Sequence, residues 1–151
     1  DDKLLVGSIQ RKERPLATLL YRQYKLLVIT MISVIKSDDF EKKEITDLEG
    51  AENVEKEVLL GDPEGVETFA MRRFTLGSGG HTPYHGHGWE HEVYILAGRG
   101  KIKTEEGDKA LSAGDAVYVP SNEEHQFVSE SEEFTFLCLV PRRGEPTTAG
   151  E

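Results

Sequence analysis

From residue 54 onward, short runs of Val, Ile, Phe, Tyr and Thr alternate with Gly, Pro, Asn and Asp, and no helical periodicity of useful length interrupts them. The runs that read as strands are Glu57–Leu60, Thr68–Leu76, His91–Leu96, Lys101–Thr104, Ala116–Val119, Gln126–Val128 and Phe134–Val140. Turn signals separate them at Gly61-Asp62-Pro63, Gly77–Gly80, Gly98-Arg99-Gly100, Glu106-Gly107-Asp108, Gly114-Asp115 and Pro120-Ser121-Asn122. Many short strands without intervening helices favour an all-β, antiparallel double-sheet barrel over any βαβ arrangement.

A chain of 151 residues has room for one core and one domain. Its 37% apolar content excludes wholesale disorder. Residues 31–144 read as the folded domain, with Met31 and the following ISVIKSDDFEKKEI as its start. Residues 1–30 mix Arg11, Lys12, Arg14, Arg22 and Lys25 with leucines and show neither helical nor alternating periodicity. They read as a peripheral N-terminal extension, of the kind that translation from upstream of a natural start would add. A helix docked on the barrel is the alternative. Residues 145–151 read as a loose tail.

The net charge of -10, from 28 acidic and 18 basic residues, repels phosphate backbones and anionic lipids, so neither nucleic acid nor membrane is the expected partner. The longest apolar run, Leu26 to Ile35, is too short for a membrane span. It could pass for a signal-peptide core, but Lys36, Ser37, Asp38 and Asp39 follow in place of a cleavage site. A cytoplasmic location is expected. The single cysteine, Cys138, allows no internal disulfide and sits in an apolar run as a small hydrophobe.

Four of the five histidines, His81, His85, His87 and His91, fall between Gly80 and Glu92. In an extended chain His85, His87 and His91 share a face, and His91 opens an apolar strand whose Val93 and Ile95 point the same way. Imidazoles aimed at an apolar interior are costly unless something satisfies them, and a metal does. The fifth, His125, opens another strand that a barrel could bring back to the first three. Glu90 and Glu92 have the opposite parity and read as solvated carboxylates, and His81 as a rim histidine.

These residues resemble the two cupin motifs. The first, G-x5-H-x-H-x3-E-x6-G, is matched by Gly79, His85, His87, position 91 and Gly98, with His91 in place of the usual Glu. The second, G-x5-P-x-G-x2-H-x3-N, is matched by Gly114, Pro120 and His125, with Asn122 for its glycine and Ser129 for its asparagine. Asparagine tolerates the left-handed turn conformation, so the first of these swaps is mild. From Phe69 to Gly144 the chain is similar to small single-domain cupins that bind manganese with four histidines, through FAMRRFT, HGHGWEHEVYILAGRG, PSNEEHQF and FLCLVPRRG. The resemblance implies a cupin double-stranded β-helix (jelly-roll) barrel. It also implies one divalent transition metal on His85, His87, His91 and His125, with Mn first and Fe second. An all-nitrogen set also suits Zn, Ni, Cu or Co.

Around that metal, Arg72 shares a face with Ala70, Phe74 and Leu76, while Arg73 points to the surface. A guanidinium inside a barrel needs a partner, either an anionic ligand or a structural carboxylate. Phe127, two residues from His125, should line the same cavity. The resemblance adds Phe136 and Cys138 to the pocket wall. Tyr84 and Trp89 read as packing or interface aromatics. No catalytic residue is assigned beyond the metal. The leading functional expectation is an Mn- or Fe-dependent oxygenase acting on a small organic molecule. A non-catalytic small-molecule or metal-binding module is the alternative, and metal-assisted isomerisation or hydrolysis would need a general base that the cluster does not offer. Similar small cupins pair as dimers through N-terminal strands, so a homodimer is expected, with ITMISVI as the pairing strand.

Overall fold

The computed structural model describes residues 32–40, 42–44 and 49–142. The extension expected over residues 1–30 and the tail expected over 145–151 lie outside them. Among the described residues no helix is long and apolar enough to cross a membrane.

Among the described residues nine strands follow in order: β1 (Lys43–Glu44), β2 (Glu52–Leu60), β3 (Phe69–His81), β4 (His91–Ala97), β5 (Arg99–Thr104), β6 (Gly107–Ser112), β7 (Ala116–Val119), β8 (His125–Ser129) and β9 (Glu133–Pro141). All pairings are antiparallel, and the path through the sheet runs β6-β5-β8-β3-β9-β4-β7, with β2 also on β3 and β1 on β2. The long β3 pairs with β9 over its first nine residues and meets β8 at His81, while β2 runs along its other side. A strand shared this way curls the sheet into a barrel, the all-β architecture that the strand-and-turn pattern predicts.

The barrel closes over one core because the strands alternate as expected. His91, Val93 and Ile95 of β4 are buried while Glu92, Tyr94 and Leu96 are exposed. Phe134, Phe136, Cys138 and Val140 of β9 and His125, Phe127 and Ser129 of β8 are buried too. Cross-strand register then stacks the interior in rungs. Arg72 lies opposite Cys138 and Cys138 opposite Val93; Phe74 lies opposite Phe136 and Phe136 opposite Ile95. Phe74 and Phe136 stack at 5.3 Å between ring centroids, and Phe127 packs on Phe136 at 4.6 Å. Burying a side chain such as Phe136 contributes about 1.5–3 kcal/mol, so this aromatic layer dominates the core.

Two readings of the sequence need correction. The run Gly77–Gly80 does not turn the chain; β3 continues through it to His81. Across from it, β2 carries an irregularity between Glu52 and Val54, with Asn53 at φ 51. A Cβ on Gly80 would lie 2.5 Å from the Asn53 carbonyl oxygen, so the glycines permit close approach of two backbones. The strand β6 was not anticipated, and Gly107 and Asp108 belong to it. It is an edge strand that buries only Leu111, and GDKALS carries no β-branched residue to announce it. Arg73 does face away from the core side chains, but it is half-buried and grips the buried Glu57 with two nitrogens at 2.5 and 2.8 Å. Hydrogen bonds from Arg73 hold the Glu57 carboxyl below its usual range against the cost of burial.

Candidate metal centre

The segment joining β3 to β4 is laid against β8 by backbone pairing. Thr82 N donates to the Phe127 carbonyl at 3.0 Å, and Phe127 N donates to Thr82 Oγ1 at 2.9 Å. His85 and His125 exchange both backbone bonds, at 3.2 and 3.1 Å. Asn122 N donates to the His87 carbonyl at 2.7 Å. Asn122 sits at φ 67, the left-handed conformation that its replacement of the motif glycine requires. Ser129, where the motif has asparagine, is buried and donates its hydroxyl to the Ser131 carbonyl at 2.9 Å, securing the β8–β9 turn.

This pairing gathers the histidines. His85, His87 and His125 place potential ligand atoms within 4.8 Å of one another. His91 joins them from β4, its Nε2 2.5 Å from Nε2 of His87. The ring of His87 lies 4.4 Å from that of His91, and the His91 and His125 rings are 5.1 Å apart, all edge-on. The four are graded in depth: His85 is exposed, His87 half-buried, and His91 and His125 buried.

Loss of surrounding water favours the neutral ring in all four, including His85, which is solvent-accessible yet partly desolvated. It pushes the pKa of His91 down to about 2, with the Arg72 charge adding to the effect. His85 is lowered by burial and then by its neighbours His125 and His87. His87 and His125 are lowered by burial against an opposing hydrogen bond to the Trp89 and Glu123 carbonyls respectively. Those carbonyls also fix tautomers. Nδ1 of His87 lies 2.8 Å from Trp89 O, and Nδ1 of His125 lies 2.9 Å from Glu123 O. A carbonyl only accepts, so each Nδ1 carries the proton and each Nε2 keeps a lone pair. Neutral imidazoles with free lone pairs converging at one end of a barrel fit the donor chemistry of a divalent transition metal.

The histidines open on a cavity of about 210 Å³. The expected wall residues Arg72, Phe127, Phe136 and Cys138 all line it. Arg72 is buried; its Nη2 lies 3.0 Å from Cys138 Sγ and 3.3 Å from His91 Nδ1, and its guanidinium sits 5.3 Å from the Phe74 centroid. Trp89, read as a packing aromatic, also belongs to the wall, stacked on His87 at 4.3 Å and 4°. Its parity with His85, His87 and His91 was the available signal. Lys56 lines the cavity as well, from β2 opposite Phe74. Nothing in its own segment announced that.

Among the described residues no Asp or Glu lines this cavity. Glu92 points outward from β4, and Glu90 accepts a hydrogen bond from the Tyr118 hydroxyl at 3.2 Å. His81 lies apart from the cluster, its Nδ1 3.0 Å from Gly50 O and 3.2 Å from the Gln126 amide. Tyr84 is exposed.

Residues 72–140 match the family described as the cupin domain. A 74-residue stretch is 36% identical to the 1-methylthio-D-xylulose 5-phosphate methylsulfurylase of Rhodospirillum rubrum, covering 48% of this chain and 47% of that one. The match thus spans about half the length of that relative. Among solved structures, the polyketide cyclase RemF of Streptomyces resistomycificus aligns at a TM-score of 0.69 with 29% identity, over 74% of this chain and 80% of RemF. A cupin-2 domain protein of Rhodospirillum rubrum aligns at 0.65 with 27% identity, over 79% of this chain and 83% of that one. Barrel, motif order and these likenesses agree: residues 72–140 form a cupin domain.

Proposed function

We propose that the barrel holds one divalent transition metal on His85, His87, His91 and His125 and uses it to act on a small organic molecule in the adjoining cavity. The observation that carries this reading is the grouping of His85, His87 and His125, with His91 beside His87, on a cavity with no carboxylate among the described lining residues. When bound, the metal would supply a Lewis acid for a substrate oxygen, and Mn or Fe would add redox capacity toward O2.

The chain's own residues define what fits. A volume of about 210 Å³ is below the usual range for drug-sized ligands and suits a compact molecule. Phe74, Phe127, Phe136 and Trp89 offer flat apolar contact and exclude water. Arg72 and Lys56 are cationic, so the wall favours an anionic or enolised ligand. Arg72 is positioned to hold the charged end, while among the described residues no lining carboxylate is present to move protons.

Oxygenase chemistry with Mn first and Fe second remains the leading reading of the reaction. The relatives named a polyketide cyclase and a methylsulfurylase favour a second reading, non-oxidative chemistry at the same metal. One experiment separates them. Metal content is measured on purified protein, and oxygen uptake is followed against a panel of enols, catechols and 1,3-diketones. Bound Mn or Fe with uptake supports the oxygenase. Substrate consumption without uptake supports the second reading, and tight metal with no turnover of any substrate favours a binding module. Protein that takes up no divalent metal overturns the proposal.

A further inference from the structure

We propose that Cys138 is a positioning residue for the histidine cluster: its Sγ accepts the Nδ1–H of His91 and thereby leaves the His91 Nε2 lone pair available to a metal. This rests on the metal reading above and concerns how one of its ligands is set.

The histidines do not fix their tautomers alike. His87 and His125 each turn Nδ1 toward a peptide carbonyl, which leaves no choice about where the proton sits. His91 turns Nδ1 toward two side chains, Arg72 Nη2 at 3.3 Å and Cys138 Sγ at 3.1 Å. These neighbours make opposite demands. A guanidinium nitrogen only donates, so a hydrogen bond from Arg72 puts the lone pair on Nδ1 and the proton on Nε2. That proton then points at Nε2 of His87, 2.5 Å away, and both lone pairs are lost to a metal. A thiol can donate its S–H or accept at sulfur; with the Arg72 N–H already directed at Sγ, acceptance is the role we assign to Cys138, and it puts the proton on Nδ1 and frees Nε2.

The sulfur also resolves the conflict with Arg72. Arg72 Nη2 lies 3.0 Å from Cys138 Sγ, so its N–H has an acceptor other than the imidazole. Cys138 can therefore receive both donors at once, while Arg72 and His91 cannot both donate to each other. Register explains how three strands deliver this group. Arg72 of β3 is directly opposite Cys138 of β9, Cys138 is opposite Val93 of β4, and His91 stands one pleat from Val93 on the same face. All three side chains are buried, where a misplaced donor pair is costly.

The test uses zinc as the probe, because it is diamagnetic and binds imidazole. Wild type, Cys138→Ala, Cys138→Ser and Arg72→Met are compared by zinc titration and by long-range 15N–1H spectra of histidine-labelled, metal-free protein. Thermal melts verify that each variant is folded. In wild type His91 should be the Nδ1–H tautomer. Cys138→Ala should convert it to Nε2–H and weaken zinc binding by about 10–100-fold, the range for loss of a group that orients a ligand. Cys138→Ser restores an acceptor and should recover most of that loss, whereas Arg72→Met removes the competing donor and should leave zinc binding at least as tight as in wild type. An Nε2–H tautomer in wild type, or unchanged zinc affinity in Cys138→Ala, overturns the role of Cys138. Zinc uptake that survives loss of His85 and His125 together would instead overturn the metal reading itself. If Cys138→Ala does not fold, the wild-type tautomer and the Cys138→Ser and Arg72→Met titrations still decide the matter, since equal loss of affinity in those two variants also overturns the proposal.

Discussion

His87 and His91 face one another with their Nε2 atoms 2.5 Å apart, although one comes from an irregular loop and the other from the first residue of a strand. Each ring is anchored on its far side, His87 by the Trp89 carbonyl and by stacking on the indole, His91 by its place in β4. Two imidazoles anchored this way present adjacent nitrogens on one side, and metal–nitrogen bonds of about 2.0–2.1 Å would require those nitrogens to move apart on binding.

The four histidines should therefore act as a set. His85→Ala, His87→Ala, His91→Ala and His125→Ala should each lower metal affinity by more than about 100-fold, since loss of a group that merely orients a ligand already costs 10–100-fold. Glu90→Ala and Glu92→Ala should leave it unchanged, because both side chains point away from the cluster. Equilibrium titration with elemental analysis checks this. Metal retained in His91→Ala but lost in Glu92→Ala would mean that the third ligand is misassigned.

The final glycine of the first motif makes a separate demand. Gly98 joins β4 to β5 at φ +80, and a Cβ there would run into the Glu133 carbonyl oxygen and Ser131 Oγ. Both the conformation and the space exclude a side chain, so Gly98→Ala should destabilise the fold by about 2 kcal/mol or more. Gly88 is also in the motif stretch, but a Cβ on it meets nothing within 4 Å. Gly88→Ala should stay within about 0.5 kcal/mol of wild type. Denaturant unfolding of the two variants gives the comparison.

The contrast also shows what a sequence can carry. Parity along a strand follows from backbone geometry alone, so the inward faces of β3, β4, β8 and β9 were readable, and with them Arg72, Phe127 and the histidines. Contacts set by the pairing of distant strands were not. Lys56 reaches the cavity through its register with Phe74, and Gly77–Gly80 serve a close approach to Asn53 that no local pattern encodes. The edge strand β6 has an exposed face and one buried residue, which leaves too little alternation to distinguish it from a turn. Trp89 was legible by parity, yet its stacking on His87 depends on how the loop folds back on β8.

Association should follow from the apolar residues left in solvent. Ile32 and Val34 are 96% and 70% exposed, in the segment expected to pair between chains. On the outer face of β4 and β7, Tyr94, Leu96 and Tyr118 are exposed as well. Such surface invites a partner, and we expect a homodimer. Light scattering should give about twice the chain mass of 16.9 kDa. Replacing Ile32 and Val34 together by Lys should shift the protein toward monomer. A monomeric wild type at micromolar concentration would contradict the expectation.

Acid should unfold the protein through the same histidines that are proposed to hold a metal. In the unfolded chain a histidine titrates near 6.5, whereas in the fold burial and Arg72 push His91 down to about 2, and burial lowers His85, His87 and His125 as well. Below pH 6.5 the unfolded state therefore binds protons that the native state refuses. The resulting stability is fully present above that pH and is lost as pH falls toward the depressed native values. For His91 alone the slope approaches about 1.4 kcal/mol per pH unit, and it extends from about 6.5 down toward 2. A bound metal competes with protons for the same nitrogens, so the loaded protein should start from higher stability and fall more steeply as the metal leaves. Metal-free His91→Phe removes the most depressed group, and its stability should depend less on pH than that of metal-free wild type. Thermal unfolding of all three species from pH 8 to pH 4, with metal release followed in parallel, makes the comparison. Loaded and metal-free curves that run parallel would show that the metal contributes nothing to the fold. A metal-free His91→Phe curve as steep as wild type would place the acid-sensitive group somewhere other than His91.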